Sequence, residues 1–160
     1  MRKTHRKFLF LVSVVILAAG ALVMLWRHPP LADTAANRNA IYSAVFQKMA
    51  ASRQRPYTGL SVDSHDPDAA MMMRFVSSNG VVPGSRITAA NGVFVDQKTG
   101  QSAEMFGVHP TTMTWSGPFH VSIDAGAHGS LLDGSEGTYF LVRTNGQWKV
   151  DRYRDSGVRF

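Results

Sequence analysis

TYFLVRTNGQWKVDRY, residues Thr138 to Tyr153, is the stretch from which the fold is read. Asn145-Gly146 is the dipeptide that a two-residue type I′ turn demands, because both positions need positive φ. Aromatic and branched residues flank it on both sides. Thr138 to Arg143 and Gln147 to Tyr153 are therefore expected as paired strands. A two-residue loop sets Thr144 opposite Gln147. It then sets Arg143 opposite Trp148, Leu141 opposite Val150 and Tyr139 opposite Arg152. Arg143 over Trp148 would make a cation–π contact.

Outward from this hairpin, Phe119, Val121 and Ile123 alternate with His120, Ser122 and Asp124, the pattern of a half-buried strand. Ala125-Gly126 is expected to turn it. Between Gly80 and Phe106, short β-prone pieces are cut by Pro83-Gly84 and Asn91-Gly92, so irregular structure or a poorly paired hairpin is expected. Two helices precede that region. One, Asp33 to Ser52, carries Ile41, Ala44, Val45 and Met49 at helical spacing and could be capped by Asp33 or Asn39. The other follows Asp66-Pro67, read as a cap and a first helical position, and runs to Phe75. Tyr57 to Val62 lies between them as a short strand. The fold class read from this pattern is α+β, about two helices packed on an antiparallel β-meander.

Ahead of the domain, residues 8–26 read FLFLVSVVILAAGALVMLW without a charge. As a helix they span roughly 28 Å, close to a bilayer's hydrocarbon core. The expected organisation is a cytoplasmic basic head at residues 1–7, a transmembrane signal anchor at 8–26, a linker at 27–32 and an extracytoplasmic domain at 33–160. Arg2, Lys3, Arg6 and Lys7 precede the apolar run, which orients the head inward at the inner membrane of a bacterial envelope. Cleavage near Ala19-Gly20-Ala21, with secretion, is the alternative.

The net charge of +6 invites a nucleic-acid reading, and its distribution removes it. Five of the 17 basic residues lie within residues 1–27, where there is no acid. The remainder carries 12 basic against 11 acidic groups, no footprint for DNA or RNA. Cysteine is absent, so disulfides and thiolate metal sites are excluded.

From Gly129 to Val142, and again in Asn145-Gly146-Gln147-Trp148-Lys149-Val150, the chain resembles the closing segment of small exported bacterial α+β domains with a G-x-W-x-V hairpin. Ala40 to Val45 is similar to their first helix. A looser likeness is to the cone-shaped, curved-sheet domains of the nuclear transport factor type. Many relatives of the first group place cysteines near the glycine turn, and this chain has none. Neither resemblance implies an activity or a residue role.

Asp63, His65, Asp66 and Asp68 are the candidate metal ligands, four oxygen or nitrogen donors in six residues. Helix capping already accounts for Asp66 and Asp68, and the run lacks the glycine and distal glutamate of a calcium loop. His109, His120 and His128 show no zinc-enzyme spacing; His120 could approach Asp124 or Glu136. Gly134-Ser135-Glu136-Gly137 falls short of a serine nucleophile motif and is read as a turn. Arg152, Arg154 and Arg159 form a basic end that could face lipid phosphates or an acidic partner. No cofactor is expected. Besides the lipid bilayer at residues 8–26, the expected partner is another envelope protein, with the domain an interaction or accessory module. The alternative is a small-ligand pocket protein or metal-assisted hydrolase-like enzyme, with Asp63, His65 and Trp115 around a cavity.

Overall fold

A computed structural model describes residues 33–75 and 77–159. Strand accounts for 53% of it and helix for 21%. The expected α+β arrangement is thereby corrected: one helix of four turns and one of a single turn accompany a large mixed sheet. The elements are α1 (Ala35–Ala50), β1 (Tyr57–Val62), α2 (Ala69–Met72), β2 (Val81–Pro83), β3 (Ile87–Ala90), β4 (Val93–Asp96), β5 (Ala103–Gly117), β6 (His120–His128), β7 (Gly134–Thr144) and β8 (Gln147–Arg159). Six strands form one sheet in the order β2-β1-β5-β6-β7-β8, and β3 and β4 form a separate hairpin. β1 runs parallel to both β2 and β5, and the strands after β5 are antiparallel. The antiparallel meander is therefore four of the six strands, with a parallel extension through β1 and β2.

The expected spanning helix at 8–26, the head at 1–7 and the linker at 27–32 all lie outside the described residues. Among the described residues, no helix is long and apolar enough to cross a membrane. What the structure describes is mainly β-sheet and gives the transmembrane and signal-anchor expectation no support.

The α1 helix forms because its apolar residues share one face and its start is capped. Thr34, not Asp33 or Asn39, is the cap: its side chain accepts from the Asn37 N–H. Asp33 instead holds Arg38 at 2.6 Å. Ile41, Val45 and Phe46 are fully buried against Leu60, Phe106, Val108 and Ile123, with Leu141 and Trp148 in the same core. At roughly 1.5–3 kcal/mol for each large apolar side chain, this layer supplies most of the drive to fold.

In the C-terminal hairpin, Asn145 (φ 52°) and Gly146 (φ 77°) make the expected turn. Thr144 faces Gln147, Arg143 faces Trp148 and Leu141 faces Val150, as the loop length requires. The register then slips. A bulge between Phe140 and Leu141 sets Phe140 opposite Arg152 and Tyr139 opposite Tyr153, not Arg152. One unpaired residue flips every later side chain to the other face. The cation–π contacts consequently join Arg152 and Arg154 to Phe140.

Ala125-Gly126 does not turn the chain, because β6 runs on to His128. Gly126 lies between Gly107 and Glu136, and a Cβ there would come within 2.9 Å of Glu136 Cγ. Close strand packing, not a turn, explains this glycine. The β3–β4 hairpin covers the face away from α1. Gly59 admits it: a Cβ there would meet Ile87 Cγ1 and Met105 Sδ at 2.6 Å.

Candidate functional site

On the helix face of the sheet, the C-terminal end of α1 and the segment after it stand away from β5, β6 and β7. The gap is a cleft of about 610 Å³. A second hollow of about 400 Å³ adjoins it and shares Ser52, Ala127, Ser135 and Tyr153.

Glu104 lines the cleft, and the strand period puts it there. Glu104, Phe106 and Val108 are alternate residues of β5, so all three face α1. Glu104 is only 7% exposed. Thr58, its partner across the parallel β1–β5 pair, donates its hydroxyl to Oε1 at 3.2 Å. The backbone N–H groups of Arg55 and Gln54 are near enough to favour its charged form. Burial pushes the Glu104 carboxyl above its ordinary range, while these donors and the Arg53 charge pull against that rise. A carboxylate offers about four acceptor positions. The Thr58 hydroxyl is the one side-chain donor to it, which leaves room for a donor from the cleft.

Other charges surround it. A side chain at Gly129 would meet Asp133 Oδ2 at 3.2 Å and Arg55 Nη2 at 3.9 Å, so a cation and an anion border the same glycine. Asp155 lines the same cleft, and Lys48 the adjoining hollow. Tyr139 and Tyr153 form an aromatic wall with ring centroids 4.8 Å apart. Burial and the nearby Tyr153 push the Tyr139 hydroxyl up to about 12. The hydroxyl therefore stays protonated at physiological pH, with a proton it can donate. Gly134 is fixed by packing, since any Cβ there would collide with the His128 ring.

The candidate metal ligands are not brought together. Asp63 and Ser64 form a turn at positive φ, and His65 Nδ1 lies 2.7 Å from the Asp63 carbonyl. Asp66 accepts from the N–H and hydroxyl of Ser85. Asp68, not Asp66, caps α2, accepting from Met71 N–H and from Asn39 Nδ2 at 2.7 Å each. Asp66 and Asp68 thus serve separate structural partners, and His65 turns back to the Asp63 main chain. Among the described residues no group of three or more His, Asp or Glu side chains could hold a metal ion.

The expected cavity of Asp63, His65 and Trp115 does not form either. Trp115 packs edge-on against Trp148 at 5.6 Å, beneath α1. His109, not His120, approaches Glu136, at 3.6 Å. His109 and His128 border a smaller hollow of about 290 Å³ under the β3–β4 hairpin. Sequence reasoning missed Glu104 altogether. The signal was a charged residue in phase with Phe106 and Val108, visible only once that segment is read as a strand.

No protein-family model, curated protein or solved structure matches this chain.

Proposed function

We propose that the domain binds a small zwitterionic molecule in the cleft between α1 and the sheet. The observation that carries this reading is Glu104, a buried carboxylate with an acceptor position to spare, in a cleft of about 610 Å³. That volume falls within the range of ligand pockets, roughly 300–1,000 Å³. Arg55 and Asp133 on either side of Gly129 give the opening both signs of charge, which suits a ligand carrying a cation and an anion. The ligand's ammonium would complete the donor set of Glu104, its carboxylate would reach Arg55, and the tyrosine wall would face its apolar part. An interaction role for the domain is favoured by a different surface, the outer edge of β8.

A melting-temperature screen of the full-length protein against free amino acids tests this. A ligand at a hundred times its Kd stabilises by about 2.7 kcal/mol, which moves the midpoint by several degrees. The expected result is a shift with at least one zwitterion that Glu104→Gln and Arg55→Gln each abolish. Equal shifts in both variants, or none with any compound in the wild-type protein, would overturn the reading.

A further inference from the structure

β8 is the last strand of the sheet, and among the described residues no strand pairs with its outer edge. It is 13 residues long, and residues 151–157 are all exposed. An open edge of that length presents a row of main-chain N–H and C=O groups to any further strand.

The side chains beside that edge carry an uncompensated charge. Arg152 and Arg154 are two residues apart and so share a face, the one turned away from α1. Their guanidinium carbons lie 4.3 and 5.3 Å from the Phe140 ring centroid. One ring therefore gathers two cations and holds them side by side. Among the described residues the ion pairs are Arg38–Asp33, Arg86–Asp96 and His109–Glu136, so neither Arg152 nor Arg154 has a carboxylate within 4.0 Å. Two other acids of this face are engaged: Asp124 accepts from the Thr138 hydroxyl, and Glu136 faces His109. Beside the arginines is a hollow of about 290 Å³, bordered by Ser116, His120, Phe140 and Asp151. Asp151 is the one acid on its rim, left without a cross-strand partner by the bulge.

We propose that the outer edge of β8 takes up an extended acidic segment of a partner protein as an additional strand, with carboxylates at alternate positions on Arg152 and Arg154. Side chains on one face of an added strand recur every second residue, the same period as the two arginines. Arginine's planar fork accepts carboxylate oxygens two at a time.

Fluorescence anisotropy with the full-length protein tests this, using a short labelled peptide that alternates glutamate and valine. Expected is saturable binding that weakens at least tenfold in Arg152→Gln/Arg154→Gln, with the circular dichroism spectrum unchanged. A peptide of the same sequence, N-methylated at alternate positions to block main-chain bonding, should not bind. Equal binding of the N-methylated peptide would overturn strand addition. Equal binding to the double variant would overturn the role of the arginines. Binding of phosphatidylglycerol vesicles that is lost in Arg152→Gln/Arg154→Gln, with no binding of the peptide, would assign the patch to a lipid surface and contradict the proposal. Dimers of the free protein in solution, with no binding of the peptide, would assign the edge to a second copy of this chain and overturn the proposal. None of these outcomes depends on the cleft, so the two readings stand or fall separately.

Discussion

Phe46→Ala is expected to cost about 3–5 kcal/mol of folding stability, the range for an aromatic side chain deleted from a packed core. Phe46 is fully buried and meets Phe75 edge-to-face at 6.3 Å, tying α1 to the short turn after α2. Its neighbours are held by a six-stranded sheet on one side and the helix backbone on the other, so they cannot collapse into the space it leaves. Single domains are stable by only about 5–15 kcal/mol, so this one change removes a large share of the total. Urea denaturation followed by tryptophan fluorescence measures it. Phe119→Ala is the comparison: Phe119 is 54% exposed at the β5–β6 turn and should change stability by less than about 0.5 kcal/mol. Similar losses at both positions would show that α1 does not pack as described.

Asp96→Ala is expected to destabilise by roughly 3 kcal/mol and to loosen the β3–β4 hairpin first. Asp96 is wholly buried, receives Arg86 through both carboxylate oxygens, and also accepts the Thr99 hydroxyl at 2.6 Å and N–H at 3.0 Å. Removing it strands the Arg86 guanidinium and orphans two Thr99 donors. The Arg86 guanidinium, ahead of the opposing effect of burial and aided by Thr99, lowers the Asp96 carboxyl from 3.8 to about 2. A carboxylate depressed in the folded state contributes its full stability above its unfolded value. That contribution fades as pH falls from 3.8 toward 2. The wild-type protein should therefore lose stability across that interval, and Asp96→Asn should flatten this part of the profile. Hydrogen exchange should show residues 87–96 opening before the main sheet in Asp96→Ala. Acid profiles that coincide for wild type and Asp96→Asn would contradict the pairing.

The hairpin at Asn145-Gly146 was legible because turn chemistry and two-residue alternation agree there. β1 was legible at both ends for the same kind of reason, with Pro56 before it and a turn after it. The slip to Tyr139 opposite Tyr153 was not, since a bulge is fixed by packing across the sheet and leaves no mark in composition. β5 escaped notice because Gly107, His109 and Pro110 interrupt its apolar row. In the sheet those positions fall on the outer face or where its pairing with β6 is irregular. Missing β5 hid the parallel β1–β5 pair, and with it the contact of Thr58 and Glu104 across 46 residues of sequence. The cleft was illegible for that reason: its parts come from α1's end, β5 and the β6–β7 turn, which only the fold brings together. Asp63, His65, Asp66 and Asp68 were conspicuous as neighbours in sequence, yet His65, Asp66 and Asp68 each turn to a different partner.

Native mass spectrometry of the full-length protein, purified without denaturation, tests the cleft most directly. The account predicts a small zwitterion retained at one per chain in the wild-type protein and missing from both Glu104→Gln and Arg55→Gln. A wild-type protein that carries nothing and gains no mass when incubated with free amino acids would contradict it, as would a bound molecule that both variants retain.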